Sequence, residues 1–302
     1  MAVSVGSGLW IILTLAVVLF YFLVFDVFPK VELLARLFLI GKLREKGSRS
    51  KIFNLFDVPK RWFTHFYMLG VVVNTSLLIL LARVVVFRVP FPQPVQNIFN
   101  TLWAPNHTPE GVSGTAVVVV LVMEELQVLR RCYECLFVSV FSDSKISVVH
   151  YIMGLLLYLT FGSCILASTD FNNFRMTGVD QVGLLCVVVG CFLFFLASML
   201  QHQTLHILSK LRKSHSGVVE NRQHLLPNGG LFEYVSCPHF FTEILIYLAM
   251  NIVVQFQHQA CLSIGIFVLV NQVIMSLMTH DWYRKNFRMF PKDRKAVFPY
   301  LL

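Results

Sequence analysis

Charge is scarce in this chain. Asp, Glu, Lys and Arg together make up 14% of its 302 residues, against 56% hydrophobic residues. Soluble globular domains carry roughly a quarter charged residues, so this balance excludes an ordinary soluble domain. Other signatures are missing too. No Gly-x-Gly-x-x-Gly opens a helix and there is no room for a soluble βαβ unit, which excludes a Rossmann nucleotide domain. Gly-x-Ser-x-Gly is absent, and with it the nucleophile elbow of a serine hydrolase. No two histidines are adjacent, which argues against the paired-histidine boxes of membrane di-iron enzymes. His202 and His206, one helical turn apart, read as a polar helix end or as lining of a cofactor cleft. The seven cysteines are odd in number and lie mostly in or beside apolar stretches, so no disulfide framework is expected. Cys132-Tyr133-Glu134-Cys135 is a single CxxC with no second pair, hence no zinc site.

What the chain has is long apolar blocks. A membrane-crossing helix needs about 20 mostly apolar residues. Seven segments approach that length: 8–28, 65–87, 113–129 running on towards 141, 146–168, 181–207, 240–257 and 259–279. The expected class is an all-α polytopic membrane protein, a seven-helix transmembrane bundle whose cytosolic loops and C-terminal tail close a cofactor cleft. Residues 1–50 form a first span plus a basic interfacial segment, with an amphipathic helix at 31–44, and 51–302 form the catalytic domain. Residues 240–279 read as two short helices or as a span plus a re-entrant segment. Alternating spans put 22 of the 25 Lys and Arg on one side, leaving Arg83, Arg88 and Arg175 near the other. Cytosolic loops attract basic residues, so the N-terminus is expected in the lumen and the C-terminus in the cytosol. The net charge of +9 then faces anionic lipid heads and a phosphate ligand, without nucleic acid. The sequon at Asn106 falls in the luminal 89–112 loop, whereas that at Asn74 lies inside a span.

Acids within apolar segments are costly and therefore informative. Glu124, Glu125 and Glu134 share the third span with Arg130 and Arg131, and Glu134 stands at i+4 and i+3 from the two arginines, the spacing of an internal ion pair. Glu243 follows His239 by one turn at the start of the sixth span. Before it runs a polar loop, Leu226 to His239, and after the last span a basic, aromatic tail to Tyr300. Two such segments on the rim of a bundle suit an anionic cofactor whose substrate arrives from the lipid.

Five blocks of this chain resemble the steroid 5α-reductase family, and most closely its type 3 branch: Phe56 to Tyr67, Leu129 to Ser142, Leu211-Arg212-Lys213, Leu231 to Ser236 and Tyr283 to Tyr300. The resemblance implies a seven-helix reductase of the endoplasmic reticulum that uses NADPH to reduce a carbon–carbon double bond conjugated to a carbonyl. For the type 3 branch it implies a polyprenyl lipid substrate, polyprenal reduced to dolichal on the route to dolichol for N-glycosylation, with some activity on 3-oxo-4-ene steroids. It places Arg131, Arg212, His224, His239, Glu243 and Tyr283 at cofactor positions. The tail residues Lys292, Arg294 and Lys295 are read as exposed cations for the 2′-phosphate or for lipid heads. The Gln-Glu pair that binds the carbonyl in steroid-reducing members is not recognisable here. His65 and Tyr67, entering the second span, stand in for it as carbonyl donors. Membrane lipids are the other expected partner, with no obligatory protein partner. A sterol or enoyl-thioester reductase, and a seven-helix receptor or lipid-binding protein, are the competing readings.

Overall fold

The computed structural model describes residues 4–27, 43, 57–103, 112–167, 180–214, 218–220 and 223–302. The amphipathic helix expected at 31–44 and the Asn106 sequon lie outside these residues. Eight α-helices account for most of the described chain: α1 Val5–Phe22, α2 Phe63–Val85, α3 Gln93–Trp103, α4 Gly114–Tyr133, α5 Val148–Ala167, α6 Gln181–Lys210, α7 Pro238–Val253 and α8 Gln259–Asn286. Their starts follow from side chains that satisfy the first free N–H groups. Ser4, Ser113 and Asp180 accept from the N–H of Ser7, Ala116 and Gly183, and Pro238 occupies the first turn of α7, where its missing N–H costs nothing. Single wide turns, Leu23–Val27 and Glu134–Val138, continue α1 and α4.

Among the described residues five helices are long and apolar enough to cross a membrane: Val5–Phe25, Lys60–Val85, Val148–Ala167, Gln181–Lys210 and Gln259–Asn286. Two of the seven expected spans fall short for different reasons. Four charged residues interrupt α4, and α7 has only 16 residues. The 240–279 segment is a pair of helices, turned at Gln255 and Phe256, both at left-handed φ (54° and 58°). The amphipathic α3 was not expected, because the 89–112 stretch is too polar to read as a span.

The bundle pairs α1 with α8, α2 with α4 and α5, and α7 with both α6 and α8. On α6 the buried residues Gly183, Gly190, Phe194, Ala197, Ser198, Gln201 and Thr204 form one stripe at helical spacing. Its opposite side exposes Val182, Leu185, Val188, Phe192, Phe195 and Met199, an apolar surface suited to lipid. Two three-residue strands, β1 Asp57–Pro59 and β2 Lys145–Ser147, pair antiparallel and tie the start of α2 to the start of α5. After α8 the tail returns to the bundle. Ser236 and Cys237 donate their N–H groups to the carbonyls of Lys295 and Ala296 at 2.8 and 3.1 Å, and Lys295 donates to Tyr234 at 2.9 Å.

Gly190 sets the α6–α7 distance, since a Cβ there would lie 2.5 Å from Val253 Cγ2 and 2.8 Å from the Ala249 carbonyl. Gly190→Leu should destabilise the protein by about 1–3 kcal/mol, read as a lower thermal midpoint in detergent. Val189→Leu, on the outer face, should leave the midpoint unchanged.

Candidate active site

The end of α4 carries its charges inward. Glu134 is fully buried and holds two guanidinium groups: Arg130 Nη1 donates to Oε1 at 2.7 Å and Arg131 Nη1 to Oε2 at 2.6 Å. The i+3 and i+4 spacing brings all three onto one side of the helix, as the sequence predicts. His202 Nδ1 also meets Glu134 Oε1 at 2.8 Å. A carboxylate taken out of water survives only with such compensation, and here each partner needs the other.

From this ion pair a chain of polar contacts crosses three more helices. Arg130 Nη2 donates to Gln127 Oε1 at 2.6 Å and to Gln201 Oε1 at 2.5 Å. Both amides then turn their nitrogens to α7: Gln127 and Gln201 donate to Glu243 Oε2 at 3.3 and 2.5 Å, and Gln201 donates to the His239 carbonyl at 3.2 Å. Arginine below and carboxylate beyond fix each amide in one orientation. Arg131 instead reaches α2, donating to the Tyr67 hydroxyl from Nε at 3.3 Å and Nη2 at 3.1 Å, with its charge 4.9 Å from the Tyr67 ring centre.

A second group gathers where the 223–238 loop and the tail meet. Arg212 donates to the carbonyls of Val140 and, at 3.3 Å, Gln223, and its Nη2 lies 3.4 Å from His224 Nδ1. The His224 ring stands edge-on to Trp282 at 5.7 Å, and Tyr283 is stacked on Phe290 at 6.4 Å. Arg294 donates to the Pro227 carbonyl at 3.1 Å and to Asn228 Oδ1 at 3.2 Å. Burial pulls both Arg212 and Arg294 below the ordinary arginine value, with Tyr283 opposing it at Arg212 and Glu233 and Tyr283 opposing it at Arg294. Arginine starts so high that both stay cationic at neutral pH. Gly229 and Gly230 make the loop turn possible, both at positive φ (89° and 55°).

The structure therefore joins Tyr67, Arg131, Glu243 and the His239 backbone in one network, and Arg212, His224, Tyr283 and Arg294 in another region. Two expectations change. His65 is exposed and its Nδ1 meets Tyr151 at 2.9 Å, away from Tyr67, because residues two apart on a helix point about 200° apart. Arg294 is 3% exposed and fastens the tail to the loop, so of the tail cations proposed for phosphate Lys292 and Lys295 are exposed and Arg294 is not. Gln201 proves more central than its place at a polar helix end suggested. Tyr247, one turn beyond Glu243, gave no signal of its own among the apolar residues of α7. Among the described residues no three His, Cys, Asp or Glu side chains are placed to hold a metal ion.

Residues 144–302 match the family model described as 3-oxo-5-alpha-steroid 4-dehydrogenase. The chain belongs to that family. Relatives named polyprenal reductase extend the similarity towards the N-terminus. The Danio rerio protein is 37% identical over 264 residues, covering 87% of this chain and 85% of the relative. The Homo sapiens protein is 35% identical over 258 residues (84% and 81%), and the Caenorhabditis elegans protein 33% over 269 (87% and 85%). The family match includes Arg212, His224, His239, Glu243, Tyr283, Lys292 and Arg294, while Tyr67 and Arg131 lie upstream of it.

Glu134→Ala should cost up to about 3–5 kcal/mol, because it strands two partly buried cations. The measurement is the thermal midpoint in detergent, and Glu134→Asp should recover part of the loss.

Proposed function

We propose that this protein is an oxidoreductase that reduces the α-isoprene carbon–carbon double bond of polyprenal to give dolichal, with NADPH as reductant. The observation that carries the reading is the similarity to polyprenal reductases over more than four-fifths of the chain, and the buried polar network supports it. An enzyme of this class needs a polar reaction centre inside an apolar bundle, open to a lipid substrate and a charged cofactor.

The donor set suits NADPH. Arg212 is the cation for a phosphate, and exposed Lys292 is a further one for the 2′-phosphate. The Trp282 and Tyr283 rings offer flat surfaces for a base, with His224 beside them. Glu243, oriented by Gln127 and Gln201, is the acceptor for an amide N–H, and His239 stands one turn away. Arg131 acts through Tyr67, holding its hydroxyl towards the network. The tail, fixed by Arg294 and by its backbone bonds to Tyr234, Ser236 and Cys237, closes the cleft over the cofactor. When bound, NADPH supplies a hydride. Hydride addition to the β-carbon drives electrons onto the carbonyl oxygen, so polyprenal, with its conjugated aldehyde, is the substrate and the alcohol is not.

In the membrane we place all seven helices α1, α2, α4, α5, α6, α7 and α8 across the bilayer of the endoplasmic reticulum, with the N-terminus luminal. Charged α4 is shielded by its neighbours and short α7 by the loop and tail beneath it. That orientation puts Arg212 and the tail on the cytosolic side, where the cofactor is reached, and the dolichal formed feeds dolichol synthesis for N-glycosylation.

Detergent-purified protein should oxidise NADPH with polyprenal and release dolichal, with little turnover of polyprenol and slower turnover of a 3-oxo-4-ene steroid. Steroid turnover without polyprenal turnover would overturn the substrate assignment. Arg212→Ala should weaken NADPH binding about 10- to 100-fold, the loss of one charged hydrogen bond, measured by fluorescence titration beside a thermal melt that checks the fold.

A further inference from the structure

Two polar groups lie deeper in the bundle than the network that links α4 to α7. Gln127 of α4 bonds Glu243 of α7, so the C-terminal end of α4 and the N-terminal end of α7 share one level. One turn further in, three residues before Gln127 and four after Glu243, stand Glu124 and Tyr247. Glu124 is 2% exposed and Tyr247 1%. Glu124 Oε2 and the Tyr247 hydroxyl are both buried with no hydrogen-bond partner among the described residues. Phe161 meets the Tyr247 ring edge-on at 5.6 Å and fixes it. Other such atoms belong to groups bonded elsewhere: Asn74 and Asn251 each donate through Nδ2, and Arg130 and Arg294 through their Nη atoms. Glu124 and Tyr247 stand one turn beyond the Gln127–Glu243 contact, on two helices that pack together. A buried hydroxyl without a partner is a cost that phenylalanine would avoid, unless a ligand supplies the acceptor.

We propose that Tyr247 is a catalytic residue whose hydroxyl donates to the aldehyde oxygen of the substrate. The assignment rests on the reductase reading above. Once the β-carbon has gained a hydride from the reduced nicotinamide, the π bond to the α-carbon breaks and its electron pair comes to rest on the oxygen. The Tyr247 O–H stabilises that charge or transfers its proton to give the enol. The α-carbon then takes one proton from solvent, the oxygen returns its proton to Tyr247, and the saturated aldehyde leaves. One hydride and one proton are consumed, and no further oxidant or reductant is needed.

The test is Tyr247→Phe, which removes one oxygen and no existing hydrogen bond. Polyprenal turnover should fall about 100-fold in kcat with little change in KM, the effect of losing one donor to a developing oxyanion. The thermal midpoint and NADPH affinity should equal those of the parent or rise. A readout without cofactor is the carbonyl stretch of a short isoprenoid enal bound to the protein. In the parent it should lie below its value in apolar solvent, and in Tyr247→Phe it should return towards that value. Parent-like turnover in Tyr247→Phe, or an unshifted band in the parent, would overturn the assignment and leave the reductase reading standing. A parent that turns over no polyprenal would instead overturn the reading on which it rests.

Discussion

The fully buried Glu134 carboxylate, held between Arg130 and Arg131, is the constraint on which the rest of the site depends. Two cations and one anion inside an apolar bundle are tolerable only if they pair with one another and find further hydrogen-bond partners. That requirement propagates outward. Arg130 uses its second nitrogen to orient Gln127 and Gln201, these orient Glu243, and Arg131 orients Tyr67. Four helices are thus registered by one electrostatic centre, in a place where hydrophobic contact alone would let them slide. The same chain that stabilises the bundle presents a carboxylate and a phenol at the level where the loop and tail arrive.

A second constraint acts at the rim. The α7 helix is short, with 16 residues, and the polar 226–237 loop leads into it. That loop is kept in shape by the returning tail, through backbone pairing at Val235 and Lys295 and through Arg294 on Pro227 and Asn228. The aromatic and cationic groups proposed above for NADPH lie on these two segments, which hold each other.

The sequence made some of this legible and hid the rest for definite reasons. Apolar block lengths located the helices because lipid demands long uninterrupted runs, and the Glu134 pairing followed from i+3 and i+4 spacing on one helix. Contacts between distant segments had no such local code. Nothing in the tail distinguishes buried Arg294 from exposed Lys292, since both belong to one basic run and only the fold decides which turns inward. His65 and Tyr67 look equivalent at the entrance to a span, yet helical geometry sends them to different sides. Tyr247 was hidden because an aromatic residue in an apolar helix looks like core until its hydroxyl is seen without a partner. The 93–103 helix escaped because its apolar residues recur at helical spacing within a stretch too polar and too short for a span.

The central claim is that this network serves reduction of a conjugated double bond and not of the aldehyde itself. The most direct measurement uses NADPH deuterated at the transferable nicotinamide position, with polyprenal as substrate, and locates the label in the product by mass spectrometry and NMR. The account predicts dolichal with deuterium at the β-carbon. Deuterium on the carbon that bore the aldehyde, in a polyprenol product, would contradict it.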